Sequence, residues 1–178
     1  MQLRFGQGSG ARGRFEQLVL VHQSSAYNLA RWLTGNDSDA EDVTQEALLR
    51  AFRYFPGFRG GDARSWLLQI VRNCAYTWLK TNRAKDLLSL DEIVEEPAAR
   101  DGCPECLLAQ TVDHELIAKA VAELPAEFRE AIILREMEGL SYKEISQIAE
   151  VPIGTVMSRL SRARNRMLQL LSDADEVQ

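Results

Sequence analysis

The sequence predicts an all-α protein: two small helical domains joined by a flexible acidic linker, the second containing a helix-turn-helix. Three observations predict it. Apolar residues recur at helical spacing, about 3.6 residues per turn, in each periodic stretch. Charge is segregated along the chain. Eight basic residues against Asp62 alone lie between Arg50 and Lys85, and nine acids against Arg100 alone lie from Asp86 to Glu115. Four arginines and no acid then fall between Val151 and Met167. Finally, Gly139–Met167 (GLSYKEISQIAEVPIGTVMSRLSRARNRM) reads as two short helices separated by a tight turn. The expected boundaries are a flexible tail over 1–12, a first domain over 13–85, a linker over 86–111, a second domain over 112–172 and an acidic tail over 173–178.

A chain of 178 residues fits one domain or two small ones. No apolar run approaches the ~20 residues that span a bilayer. The opening MQLRFGQGSGARGRF lacks the apolar core of a secretory signal. Three cysteines without framework spacing suit a reducing compartment, so a cytoplasmic protein is expected. The net charge of −5 argues against a protein that coats nucleic acid indiscriminately. Two basic blocks around an acidic one instead suggest two nucleic-acid-facing modules with a repelling connector. No nucleophile–base pair, phosphate-binding glycine loop or carboxylate constellation suggests catalysis. A non-enzymatic protein without a cofactor is therefore expected.

After the glycine-rich tail, one helix is expected to carry Phe15, Leu18, Val19, His22, Ala26, Leu29, Ala30 and Leu33 on its apolar stripe. His22 on that stripe reads as a packed core histidine. Gly35-Asn36 closes this helix, and Asp37-Ser38-Asp39 caps the next, whose Val43, Ala47, Ala51, Phe52 and Phe55 turn inward. Its acidic opening turn complements the helix dipole. Pro56-Gly57 and Gly60-Gly61 then create a loop, FPGFRGGDARS, with exposed aromatic and basic residues. A third helix from about Ala63 to Asn82 buries Leu67, Ile70, Val71, Cys74 and Trp78. Gln69, Arg72, Asn73, Tyr76, Lys80 and Arg83 gather on its other side, within an arc of about 100°. Amides, cations and an aromatic without any acid are the side chains that grip phosphate and stack or hydrogen-bond unpaired bases.

The acidic connector spans at most ~80–90 Å when extended, ample for sites one or two DNA turns apart at ~34–36 Å per turn. Beyond it, a helix bears Val112, Leu116, Ile117, Ala120 and Val121. Leu124-Pro125 interrupts, and Phe128, Ala131, Ile132 and Leu134 mark another helix that Gly139 ends. Ser141 with Glu144 three residues on makes a capping box, and Ile145, Ile148 and Ala149 are expected inside. Pro152 suits the first turn of the last helix. Val156, Leu160, Ala163 and Met167 form its apolar back, with Thr155, Ser158, Arg159, Arg162 and Arg166 opposite. A hydroxyl-and-guanidinium front suits a helix lying in a DNA major groove.

With both modules read, the chain resembles a bacterial RNA polymerase sigma factor of the extracytoplasmic-function group, over roughly Phe15–Leu171. The resemblance rests on DAEDVTQEALLRAF (Asp39–Phe52), WLLQIVRN (Trp66–Asn73), LPAEFREAIILREMEGLSYKEI (Leu124–Ile145) and GTVMSRLSRAR (Gly154–Arg164), in that order. It implies that Asp42, Gln45, Glu46 and Leu49 dock on the clamp helices of the polymerase's largest subunit. It also implies that the helix holding Trp66–Asn73, with the loop before it, opens the −10 element and captures a flipped base. Asn73 matches a position that contacts DNA there, and Arg72, Lys80 and Arg83 fall where phosphates pass. The last module resembles the one that reads the −35 element, with Ser158, Arg159 and Arg162 in the recognition helix, and that also meets the polymerase flap. An anti-sigma factor is the further partner implied. Two departures stand out: Met157 replaces a residue that is often basic in the family, and the loop Phe58–Ser65 is where relatives vary most.

Two other readings stay open at this point. A polymerase-independent helix-turn-helix regulator would need only the C-terminal module. A metal- or redox-sensing interaction protein would use Cys103 and Cys106 with His114, although three candidate ligands fall short of a closed tetrahedral site.

Overall fold

The computed structural model describes residues 8–88 and 111–175, and every regular element among them is helical. The order is α1 (Gly8–Leu18), a 3₁₀ turn (Leu20–His22), α2 (Gln23–Thr34), α3 (Asp37–Tyr54), a second 3₁₀ turn (Phe55–Gly57) and α4 (Ala63–Leu88). Then come α5 (Thr111–Ala122), α6 (Ala126–Ile132) running into a π turn (Ile133–Met137), α7 (Tyr142–Ala149) and α8 (Ile153–Asp175). The chain forms two compact units that divide between Trp78 and Leu79, with Gln147–Glu150 grouped with the first. Among the described residues no helix is long and apolar enough to cross a membrane.

In the first unit the pairing of α2 with α3 is set by their junction. Gly35 takes the left-handed conformation, φ 86°, and its N–H closes α2 on the Arg31 carbonyl. Asn36 then caps α3: its Oδ1 accepts the Asp39 N–H at 2.9 Å. The cap is therefore one residue earlier than Asp37, whose carboxylate instead accepts from Tyr27 Oη at 3.0 Å and pairs with Arg31. Ala26, Ala30, Ala40, Ala47 and Ala51 are buried, and their small side chains let the two backbones approach closely. Leu29, Leu33 and Val43 are buried as well, as are Leu67, Leu68, Val71 and Ala75 of α4. Cys74 is also buried, and that burial pushes its thiol above the ordinary range.

Several expectations are corrected here. The expected first helix is two helices, broken by the 3₁₀ turn, and it begins at Gly8 rather than after residue 12. A single tightened turn leaves Phe15 and Val19 buried, as in a continuous stripe, so spacing alone does not reveal the break. His22 closes that turn half-buried and is not a core residue. Phe52 is 51% exposed, with its ring edge-on to Phe15 at 5.2 Å. Phe58 is half-buried, stacking on Phe55 at 5.9 Å and meeting Trp66 at 4.9 Å, so the loop aromatics are packed. Ile70 and Trp78 are half-buried, whereas Leu68 and Ala75 join the core. The third helix runs on to Leu88, and residues 173–175 of the expected tail are helical.

In the second unit α8 packs on α5 and α6. Ala120, Val121, Leu124, Ala131, Ile132, Ile133 and Leu134 are buried, while Ile117 turns outward. Arg129 ties the α5–α6 corner by donating to the carbonyls of Ala122 and, at 2.9 Å, Leu124. The π turn closes where the Glu138 N–H reaches the Ile133 carbonyl at 3.0 Å. Gly139, at φ 67°, then lets the Leu140 N–H return to the Leu134 carbonyl at 3.0 Å. Arg135 seals the corner, donating to the Leu140 carbonyl at 2.8 Å with its guanidinium over the Tyr142 ring. Cys103 and Cys106 lie outside the described residues, as do most of the expected linker and the His114 side chain.

Candidate nucleic-acid interface

The helix-turn-helix is built as its residues dictate. Ser141 and Glu144 form a reciprocal capping box: the Glu144 N–H reaches Ser141 Oγ at 3.3 Å, and Glu144 Oε2 accepts the Ser141 N–H at 2.7 Å. Ile145, Ile148 and Ala149 are buried as their spacing requires. Glu150 makes the turn in the left-handed region, φ 55°, where a residue other than glycine is uncommon. Ser146 braces it, accepting the Val151 N–H at its carbonyl (3.2 Å) and donating its hydroxyl to the Val151 carbonyl (2.5 Å). Pro152 stands just before α8, one place earlier than expected, and its carbonyl accepts from Thr155 at 2.9 Å and Val156 at 3.2 Å.

Val156, Leu160 and Ala163 are buried along α8, with Met167 half-buried below them. At about 100° per residue the direction opposite this spine is occupied by Gly154, Ser158, Ser161, Arg162 and Asn165. Ser158, Arg162 and Arg166 are exposed as expected, but Thr155 is half-buried. Arg159 lies nearer the packed side, and its side chain is only 19% exposed, 3.5 Å from Glu127 of α6. Arg164 is likewise held, 2.8 Å from Glu136 of the π turn. Of the four arginines, Arg162 thus projects most directly outward, and among the described residues it has no ion-pair partner. Ser161 and Asn165 are exposed on this face too, although the expected set does not include them.

On α4, Arg72 lies over the Tyr76 ring at 4.5 Å and donates to Asn73 Oδ1 at 3.1 Å. The Asn73 carbonyl accepts the Thr77 hydroxyl at 2.8 Å, and its amide stays exposed. With Oδ1 engaged by Arg72, the Asn73 amide presents N–H donors outward. Gln69 is half-buried, one turn before Asn73, and Lys80 is exposed. Arg83 lies further along the helix, and its side chain is outside the described residues. Asp62 fixes the start of α4: its carboxylate accepts the Arg64 N–H at 3.0 Å and the Ser65 hydroxyl. Burial raises the pKa of this carboxyl, but those hydrogen bonds, the Ser65 N–H and the nearby His22 charge outweigh it and hold the value below its ordinary one.

On α3, Asp42, Gln45, Glu46 and Leu49 are exposed at i, i+3, i+4 and i+7 and share one face, with Leu49 64% exposed. Arg50 Nε donates to Glu46 Oε1 at 2.6 Å, which holds the carboxylate in place. Phe52, one turn past Leu49, extends this face with an apolar surface that periodicity had turned inward.

A helical unit with an amide-and-cation face, and another ending in a capped helix-turn-helix with an outward arginine, define a class of modular transcription proteins. The family model for Sigma-70 region 2 matches residues 18–85, and that for Sigma-70 region 4 matches residues 114–167. An ECF RNA polymerase sigma-E factor of Escherichia coli is 35% identical over 87% of this chain and 85% of its own length. The ECF sigma factor SigE of Mycolicibacterium smegmatis is 34% identical over 89% of this chain, which spans 62% of that longer protein. Among solved structures, the sigma factor RpoE in complex with the anti-sigma factor NepR from Bartonella quintana aligns at TM-score 0.75. It is 32% identical, covering 89% of this chain and 97% of that one. CnrH, in complex with the cytosolic domain of CnrY, aligns at TM-score 0.63 and 25% identity over 94% of this chain and 92% of that one. The chain belongs to the extracytoplasmic-function group of sigma factors.

Proposed function

We propose that this chain binds core RNA polymerase and directs it to a set of promoters, acting without catalysis of its own in the cytoplasm. Residues 13–85 serve the −10 side and the polymerase. Asp42, Gln45, Glu46 and Leu49 meet the clamp helices, and Asn73 with Gln69, Arg72, Tyr76, Lys80 and Arg83 engages the melted strand. Residues 112–172 serve the −35 side and meet the polymerase flap, with Ser158, Arg162 and Arg166 toward DNA and with Thr155 and Arg159 at the edge of that surface. The observation that carries the reading is the joint presence, in one chain, of the outward arginine on a capped helix-turn-helix and the acid-free amide and guanidinium face of α4. A regulator acting without polymerase needs only the first of these.

A solved relative, RpoE of Bartonella quintana, is seen with the anti-sigma factor NepR, and an inhibitory partner of that kind is proposed for this chain. Run-off transcription with core polymerase over a genomic library tests the activity and yields the promoter together. A chain that neither associates with core polymerase nor starts RNA synthesis from any template ends the proposal.

A further inference from the structure

We infer that Ile153 and Met157 form a thymine-reading edge on α8, touching C5 methyl groups in the major groove on the −35 side. The inference rests on the reading of α8 as the groove-binding helix. α8 opens at Ile153, so both residues lie in its first two turns, the part of a recognition helix that reaches base edges. Ile153 is 46% exposed and Met157 54% exposed, and at i, i+4 they are neighbours on one side. A lone exposed apolar residue is ordinary on any surface. At about 100° per residue Met157 instead borders Gly154 and Ser161, on the side of the outward face away from Arg162, and Ile153 lies one turn before it, nearer the buried spine.

Gly154 supplies a separate argument. A Cβ at this position would meet nothing within 4 Å, and the backbone there is not left-handed. Neither packing nor chain geometry requires glycine, which weakens a helix. Its bareness has no use within the unit, whereas it permits close approach by a body lying along the helix. Ser158 and Ser161 keep the neighbouring turns low in the same direction. Such an approach brings the Met157 side chain, with Ile153 one turn before it, to the base edges along one wall of the groove. Thymine is the partner because it presents a methyl group in the major groove, where the other bases present only polar edges. Arg162, on the other edge of the outward face, takes a guanine edge or a phosphate.

The test uses the full chain with core polymerase and promoter fragments selected from a library randomised over the −35 hexamer. Each thymine of a selected fragment is replaced in turn by deoxyuridine, which lacks only the methyl group. At one or two positions the replacement weakens binding by about fourfold for the unaltered chain, the effect of one buried methyl. It changes nothing for the Ile153→Ala, Met157→Ala double variant, and Met157→Leu retains the sensitivity. Both side chains are exposed, so the variants keep the thermal transition of the unaltered chain. Neutral deoxyuridine at each position overturns the inference, as does sensitivity that persists in the double variant. Unchanged DNA discrimination with weakened core-polymerase binding also overturns it and makes the patch protein-facing. Failure of the underlying reading looks different: no hexamer is enriched and Arg162→Ala is silent, which removes helix and inference together.

Discussion

Arg162→Ala isolates what α8 contributes to DNA binding, because the fold makes no evident use of that side chain. The side chain is exposed on the outward face, and the Val156, Leu160 and Ala163 spine lies on the far side. Alanine is the better helix former, so stability is expected to hold or rise slightly. A bidentate contact to a guanine edge is worth about 1–3 kcal/mol, so binding should fall roughly 5- to 150-fold for promoters carrying that base. A phosphate contact would weaken all sequences alike and reduce the salt slope by about 1. Arg159→Ala is the informative contrast. Its contact with Glu127 is 3.5 Å long and the acid is half exposed, so the pair contributes only ~0–1 kcal/mol to stability. That variant should lose some stability as well as DNA binding. Anisotropy titrations of core polymerase with each variant on a labelled promoter, across salt, separate these cases, and urea midpoints report the fold. Normal binding and an unchanged salt slope for Arg162→Ala would take α8 out of the groove.

Three further outcomes are expected. Gln45→Ala with Glu46→Ala removes two exposed side chains and the Arg50 pairing, so it should weaken core-polymerase binding at least several-fold with little change in melting temperature; normal core affinity in a co-sedimentation titration refutes the docking face. Asn73→Ala should reduce strand opening more than duplex binding, and permanganate reactivity of the −10 region measured beside duplex affinity distinguishes the steps. For Asp62, the folded pKa lies below the unfolded one, so its stabilisation is present above the ordinary carboxylate range and is lost as pH falls through the depressed value. Asp62→Asn should therefore flatten the acid limb of a stability–pH profile; an identical limb would show that the capping bonds carry no linkage.

What the sequence made legible was what is local. The Ser141–Glu144 box spans four residues, and its two bonds form as the pattern demands. The buried spine of α8 follows from angular spacing alone. Local spacing is silent where a partner comes from elsewhere in the chain. Nothing around Arg159 announces Glu127, thirty-two positions earlier, as the group that draws it off the outward face. Phe58 looked exposed because its loop is rich in glycine, but Phe55 and Trp66 close on it from either side. Phe52 lies on a pattern that points inward, yet its ring leaves the core with only an edge against Phe15. In the sequence Asn36 looks like a terminator, and in the structure it is an initiator. Gly35 already supplies the stop, and the amide is free to serve the helix that follows.

The anchoring of Arg159 and Arg164 by Glu127 and Glu136 bears on how promoter preference can be moved between relatives. Transplanting α8 alone into a foreign scaffold delivers Arg162 intact but releases two arginines from their acidic moorings. Such a chimera carries extra loose positive charge and should cling to unrelated DNA more tightly than either parent. Preference travels intact only when α6 and the π turn are swapped as one cassette with the helix they brace.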